Sequence, residues 1–349
     1  MGPLLLAVGD PLIALLPSEP EAIDDCGELR LYTGGAELNT AVGVSRLGVP
    51  SAWLGRVGND PLGRRVSRTL EREGVLLDLV VVDTEAPTGL YLREWLPDGV
   101  RRPYYYRSEG AGTRLHSSDW PVSWPAALPA PTVVHLTGIT AALSESANEA
   151  LQFMIERGRD AGALISVDPN YRPSLWPDPD RARELLGALV ERADVVLLSE
   201  DDALLLAGST EPERVLAALP GRHRAVVCKR GDKGAIAWGL EGRAAVDASP
   251  ISRMVDPVGA GDGFNAGFLA SLMNGASLAD CLRCGAWCGA RAVEVLGEHD
   301  GYPMLDDLPD NLRGLLTAPS MAPNQHTIPP FADSHTTGDG GAKIRKAAR

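Results

Sequence analysis

The sequence predicts an α/β protein: a doubly wound, mostly parallel sheet with a small antiparallel β-sheet lid. Three observations carry that expectation. After about residue 132, short Val- and Leu-rich runs alternate with longer amphipathic stretches. That is the rhythm of a parallel sheet covered by helices on both faces. Two earlier regions, about 11–33 and 89–107, break the rhythm with neighbouring alternating runs and so suggest a second, smaller sheet. Finally, 349 residues with 44% hydrophobic and only 5% aromatic content give a large core built mostly of Leu, Val and Ala.

The elements follow in order. "LLLAVGDPLIALLP" gives a buried strand, a turn and a second strand, and "LRLYTGGA" a third ending in Gly34-Gly35. "ELNTAVGVSRLG" is a helix with Leu38, Val42 and Leu47 inward and Gly48 as its stop. "SAWLGRVG" is a strand, and "PLGRRVSRTLEREG" a helix opened by Pro61 and closed by Gly74. The alternating runs around Pro97-Asp98-Gly99 signal a hairpin. Next come a strand in "TVVHLTGI", a helix from Ser144 to Ala161, and a strand in "ALISVDPN". A helix from Asp178 to Arg192, a strand in "ADVVLLSE" and a short helix in "DDALLLAG" follow. "RAVVCKRGDKGAIAW" is a strand, a turn and a strand, and two helices run from Gly261 to Asn274 and from Ser277 to Leu296. One domain is expected over 1–317, with a disordered tail over 318–349 where Pro, Gly, Ser and Thr replace periodicity.

Composition excludes several classes. A net charge of -13 argues against nucleic acid as a partner, because phosphate-backbone binding needs a basic face. A small anion needs only a local positive pocket. No apolar run reaches the roughly 20 residues of a membrane span, and the first positive charge is Arg30, so no secretion signal is expected. Cys281, Cys284 and Cys288 fall on one helix face with no His cluster nearby, which suggests core thiols and a reducing, cytoplasmic location.

The chemistry concentrates in "DPVGAGDGFNAGF", Asp256 to Phe268. Gly259, Ala260 and Gly261 precede Asp262 and an apolar helix. Glycines allow close backbone approach, and a helix N-terminus offers unpaired N–H groups and partial positive charge. The result is an anion pocket. A carboxylate beside it would repel phosphate unless it serves a hydroxyl that attacks the phosphate. Asp262 would accept that hydroxyl's proton while the N–H groups hold the developing charge. A plain capping acid is the bland alternative. No Gly-Lys dipeptide occurs, which excludes a Walker A loop. A dinucleotide fingerprint fails because Phe264 holds the third glycine position and no strand carries Asp280.

This loop resembles the second signature of the ribokinase-like (PfkB) carbohydrate kinases, with Pro257 and Val258 in place of two threonines. "GGAELNTAVGVSRLG", Gly34 to Gly48, is similar to the first signature, and "GRVGNDPLG" extends it. The resemblance covers about residues 4–310. It implies a ribokinase-like fold and ATP- and Mg2+-dependent phosphorylation of an alcohol. It implies Asp262 as catalytic base, Gly259, Ala260 and Gly261 as anion hole, and Gly34, Gly35 and Asn39 on the sugar side. "KRGDKG", with Lys229, Gly231 and Gly234, resembles the family's nucleotide-side strand and turn. An Asn-x-x-Glu element that affects magnesium placement in relatives is here Ser199 and Asp202, which leaves the metal ligands unassigned.

"YYYR" at Tyr104 to Arg107 and "DPNYRPSLW" at Asp168 to Trp176 resemble 2-keto-3-deoxygluconate kinases. A sugar carboxylate suits a bidentate Arg, so Arg107 and Arg172 are its expected partners. Asn170 joins them. Tyr104 and Tyr106 share a strand face, and Tyr91 on the preceding lid strand is expected to join them around sugar hydroxyls or a keto oxygen. A neutral-sugar kinase of fructokinase or ribokinase type, a nucleoside kinase and a non-catalytic sugar or nucleotide sensor are the alternatives. The resemblance also implies a homo-oligomer through the lid.

Overall fold

The computed structural model describes residues 3–96, 99–120, 133–240 and 242–317. The expected tail, 318–349, and the hairpin residues Pro97 and Asp98 lie outside the described residues. The chain begins β1 (Leu5–Val8), β2 (Leu12–Leu16), β3 (Arg30–Gly34), α1 (Ala36–Arg46), β4 (Ser51–Gly58), α2 (Pro61–Arg72) and β5 (Val80–Asp83). It continues β6 (Leu90–Trp95), β7 (Arg101–Tyr106), β8 (Val133–Thr137), α3 (Gly138–Ala141), α4 (Glu145–Asp160), β9 (Leu164–Asp168) and α5 (Pro179–Glu191). It then runs β10 (Val195–Leu198), α6 (Glu200–Ala207), α7 (Pro212–Ala218), β11 (Ala225–Lys229), β12 (Ala235–Gly239) and β13 (Gly242–Val246). It closes with α8 (Ala260–Met273), α9 (Leu278–Ala292) and α10 (Asp310–Thr317).

The large sheet has nine strands in the order β13-β12-β11-β10-β9-β8-β1-β4-β5. It is parallel from β5 to β11 and antiparallel across β11, β12 and β13. Strand period two sends Leu5 and Ala7 to one face, where α1, α8 and α9 pack through Leu38, Val42, Phe268 and Leu282. Leu4, Leu6 and Val8 face the other layer, with Leu151 and Ile155 of α4 and Leu186 of α5. The sheet is therefore doubly wound. Chain direction around the sheet reverses at β1, the place where open α/β sheets hold ligands beyond their strand C-termini.

The second sheet has four strands in the order β3-β2-β6-β7. Its outer pairs are antiparallel, while the central pair, Ile13 to Leu15 beside Leu90 to Leu92, is parallel. β2 and β6 both leave the main body in the same sense, which makes their pairing parallel.

Local signals hold where a side chain enforces them. Asp60 caps α2 through the Gly63 N–H at 2.8 Å, and Ser144 caps α4 through Ala147 at 3.0 Å. α9 stops at Ala292 rather than Leu296, because the Val293 carbonyl accepts from the N–H groups of Val255 and Asp256. Cys281, Cys284 and Cys288 are buried between α9 and its neighbours, as core thiols should be. No described helix is long and apolar enough to cross a membrane.

Candidate active site

The functional side chains gather where β1, β9 and β11 end and α8 begins. Gly259 adopts a left-handed conformation (φ 77°) to start α8. A Cβ there would lie 2.1 Å from the Glu298 carbonyl oxygen, so only glycine fits. The Tyr302 hydroxyl donates to the Gly259 carbonyl at 2.6 Å and braces the turn. In this first helical turn the N–H groups of Gly261 and Asp262 lack an intrahelical acceptor and are free for an anion.

Asp262 is half-buried and accepts from Asn39 Nδ2 at 3.0 Å through Oδ2. Burial pushes its carboxyl up to about 6, against the pull of the Asn39 hydrogen bond. The Asp168 charge adds to the rise, while Lys229 and Arg172 oppose it. A carboxylate near 6 is a stronger base than an ordinary one and is still mostly ionised at neutral pH.

Beneath the loop, Lys229 Nζ contacts Asp168 Oδ2 at 2.5 Å and donates to Asn265 Oδ1 at 3.1 Å. Asn265 Nδ2 returns a hydrogen bond to the same Asp168 oxygen at 2.7 Å. Burial opposes ionisation of Asp168, but the charge and hydrogen bond of Lys229 prevail and hold it below the usual carboxylate range. Lys229 also lies 3.7 Å from where a Cβ on Gly261 would be, so its charge sits next to the anion loop. Gly231 and Gly234 form the tight turn after β11, both at positive φ.

Asn170 has φ 43°, a left-handed backbone that asparagine tolerates better than most residues. Its N–H donates to Asp168 Oδ1 at 3.0 Å, and its buried side-chain Oδ1 has no partner among the described residues. Arg172 is exposed and, among the described residues, makes no ion pair, although its charge reaches Asp262.

On the sugar side, Gly35 caps α1 at φ 128°, and a Cβ there would strike the Asp10 carbonyl at 2.4 Å. Gly34 faces Glu298: a Cβ at residue 34 would lie 2.6 Å from its Oε2. Asn39 is placed differently from the expectation. It is 2% exposed and its amide is committed to Asp262 on one side and His299 Nδ1, at 3.3 Å, on the other. It donates to the acid from a buried position.

The lid also requires a correction. Tyr104 and Tyr106 do share a face, but Tyr91 lies opposite Tyr105 in register and belongs to the other face. The Tyr91 and Tyr105 ring centroids are 5.4 Å apart, and Arg107 lies over the Tyr105 ring at 5.5 Å. The Tyr91 hydroxyl donates to Glu298 Oε1, so this face looks toward the anion loop. Burial pushes Glu298 up to about 7, although Arg93 and the Tyr91 hydrogen bond favour its ionised form. Tyr104 and Tyr106, 45% and 60% exposed, point away. Tyr105 was legible by alternation, since it stands two residues before Arg107 on a strand.

Arg107 Nε lies 3.6 Å from Asp10 Oδ2, and its Nε and Nη2 have no hydrogen-bond partner among the described residues. Burial raises Asp10 to about 6 despite that neighbour. A second lid arginine, Arg93, reaches Asp256 Oδ2 at 2.5 Å and so ties β6 to the start of the glycine loop. Asp10, Glu298, His299 and Arg93 carry no local sequence signal of function; only the fold brings them to the cleft.

Among the described residues, no group of three or more His, Cys, Asp or Glu side chains is arranged to hold a metal. Ser199 and Asp202 form a capping box at α6, with Asp202 Oδ2 taken by the Ser199 N–H at 2.7 Å and Oδ1 by the Tyr171 N–H at 2.7 Å. Burial, with the Asp168 charge, pushes Asp202 above the usual range.

The chain is similar to known proteins over most of its length. Residues 4–304 match the sequence profile of the pfkB family carbohydrate kinases. The chain is 33% identical over 302 residues to a 2-dehydro-3-deoxygluconokinase of Bacillus subtilis (strain 168), covering 86% of this chain and 92% of that one. It is 33% identical over 314 residues to a fructokinase of Klebsiella pneumoniae, covering 87% and 98%. The crystal structure of fructokinase from Vibrio cholerae O395, with fructose, ADP and calcium ion bound, superposes with a TM-score of 0.75 at 27% identity, covering 86% of this chain and 96% of that one. A doubly wound sheet, a four-stranded lid and a glycine loop opening a helix beside Asp262 thus occur in a chain that belongs to the pfkB family of carbohydrate kinases, phosphotransferases acting on small-molecule sugars.

Proposed function

We propose that this kinase transfers the γ-phosphate of ATP to a hydroxyl of a carboxylated sugar, 2-keto-3-deoxygluconate. The observation that carries the acid specificity is Arg107: a buried guanidinium on the cleft face of the lid with two nitrogens unfilled. A carboxylate would complete them. Arg172, with no acidic partner among the described residues, is the second cation of the cleft. The unpartnered Asn170 Oδ1, Tyr105 and Gly34 supply further sugar contacts. Similarity to a 2-dehydro-3-deoxygluconokinase supports the reading. Similarity to a fructokinase of equal identity keeps a neutral-sugar kinase as the second reading.

In the reaction, Asp262 accepts the proton of the attacking hydroxyl. The hydroxyl oxygen bonds to the γ-phosphorus, and the bond from phosphorus to the β,γ-bridging oxygen breaks to release ADP. The free N–H groups of Gly261 and Asp262, with Lys229 beside them, hold charge developing on the transferred phosphoryl group. The site would take a magnesium ion together with the nucleotide rather than hold one alone, since no three His, Cys, Asp or Glu side chains among the described residues are grouped for a metal. Such an ion neutralises phosphate charge.

The outer lid face carries the proposed homo-oligomer contact. Register places Leu31, Leu15, Leu92 and Tyr104 in one row across all four strands, and Leu31 is 38% exposed. Light scattering tests this, and a monomer at working concentration removes it.

The test of function is ADP release with 2-keto-3-deoxygluconate, fructose and ribose for wild type, Asp262→Asn and Arg107→Ala. Turnover of the keto acid, reduced about a hundredfold or more in Asp262→Asn, supports base and substrate together. Arg107→Ala should harm the keto acid more than a neutral sugar. Preference for fructose or ribose overturns the acid specificity and leaves the base standing.

A further inference from the structure

We propose that His299 is a positioning residue: its Nδ1–H fixes the Asn39 side-chain amide so that this amide donates to Asp262. The proposal rests on Asp262 being the base. A primary amide has a donor end and an acceptor end, and which end faces the carboxylate depends on what faces the opposite end. Asn39 Nδ2 donates to Asp262 Oδ2 at 3.0 Å, and Asn39 Oδ1 lies 3.3 Å from His299 Nδ1. Only the Nδ1–H tautomer satisfies that contact. The reversed amide would set its oxygen against the carboxylate and its NH2 against the ring N–H.

Two features suit His299 to this task. Its backbone is anchored, since Arg46 Nη1 donates to the carbonyls of His299 at 2.9 Å and Tyr302 at 2.8 Å. Its ring packs edge-on to Tyr302, at 6.3 Å between centroids, and Tyr302 in turn braces Gly259. The ring is also held neutral. Burial pulls it down to about 4, with Asp300 and Glu73 opposing and Arg46 and Arg72 assisting. At neutral pH it therefore keeps a single ring proton. The charged groups that face Asp262 are Asp168, Lys229 and Arg172, with Glu298 and the Tyr302 phenol across the cleft. The Tyr302 phenol is a neutral donor, but its O–H is spent on the Gly259 carbonyl, so it does not replace Asn39.

With the amide fixed, Asp262 Oδ2 is occupied and Oδ1 is left for the substrate hydroxyl. The arrangement also stabilises the ionised base. Removing the His299 donor frees the amide to turn, so the base ionises at higher pH.

The test is the acid limb of kcat/KM, from ADP release with ATP and 2-keto-3-deoxygluconate, or fructose if that is the sugar turned over. His299→Leu keeps roughly the bulk of the β- and γ-atoms but has no donor; His299→Asn offers an N–H where Nδ1 stood. We expect the limb to move up by about one pH unit in His299→Leu and to return toward the wild-type position in His299→Asn. Asn39→Leu should show the same shift, and the double variant His299→Leu/Asn39→Leu no further one. An unmoved limb in His299→Leu overturns the proposal, whatever happens to kcat or to Asn39→Leu, and so does an additive double variant. Asp262→Asn run in parallel separates the two readings. Full activity there removes the base itself, whereas an inactive Asp262→Asn with an unmoved limb in His299→Leu removes only the role of His299.

Discussion

The pair Arg93–Asp256 joins the lid to the start of the glycine loop, and its removal has a calculable cost. Arg93 is 3% exposed and Asp256 fully buried, with Nη2 and Oδ2 2.5 Å apart. Arg93→Met keeps most of the side-chain bulk and strips the charge from one partner. Asp256 then stays buried with two backbone donors, Val258 N–H at 3.2 Å and Gly297 N–H at 3.3 Å, and with Arg101 Nε at 3.8 Å. Stripping one partner from a buried pair costs about 3–5 kcal/mol, and the surviving contacts place this case near the low end, at about 2–4 kcal/mol. At roughly 2 °C per kcal/mol for a domain of this size, Tm should fall by about 4–8 °C. Thermal unfolding followed by intrinsic fluorescence reads the change directly. Added salt should alter it little, because buried pairs are poorly screened. The double variant Arg93→Met/Asp256→Leu removes both charges and should recover much of the loss. A fall below about 1 °C in Arg93→Met, or a double variant less stable than the single one, would refute the premise that Asp256 is a desolvated charge depending on the lid.

Three further outcomes are expected. If Asp262 is the base, as proposed, its raised carboxyl must be ionised, so kcat/KM should fall as pH drops through about 6 and reach roughly one-tenth of its plateau near pH 5; a flat profile down to pH 4.5 would contradict that role. Lys229→Met leaves Asp168 buried without its cation and should destabilise the protein by about 3 kcal/mol while cutting turnover, read by thermal unfolding and ADP release. Glu37 is wholly buried, and burial pushes it from 4.5 up to about 7 in spite of hydrogen bonds from Thr137 and Thr140. The folded state therefore holds its proton more tightly than the unfolded chain, so the contribution of Glu37 to stability declines between pH 4.5 and 7 by up to about 3 kcal/mol. Glu37→Gln should flatten the dependence of Tm on pH over that window, and an unchanged slope would show that Glu37 is not its source.

Much of this protein is written locally. The alternation of Leu5, Ala7 and their neighbours, and the i, i+4 spacing of Leu38 and Val42, assign strands and helices because burial follows backbone period. Ser144, Asp60, Gly48 and Gly74 end or begin helices through contacts a few residues away, so their signals survive without the rest of the chain. Weak segments were missed for the converse reason. β13 alternates exposed and half-buried residues at a sheet edge, and α7 buries only Val215, so neither carries a strong period. The glycine loop was legible as chemistry because an acid among glycines at a helix start is a local oddity.

The partners of that acid were not legible. Asn39 lies 223 residues from Asp262, and His299 lies 260 residues from Asn39. Tyr91 and Glu298 are 207 apart, and Arg93 and Asp256 are 163 apart. The layered α/β architecture and the glycine loop with its acid could be read from the chain alone, because these depend on period, capping and glycine geometry within a few residues. It took the folded chain to show which lid face looks inward, that Asn39 donates to Asp262, and how far each buried acid is displaced from its ordinary pKa. Those properties depend on desolvation and on charges brought together from distant strands, and neither exists until the chain has folded.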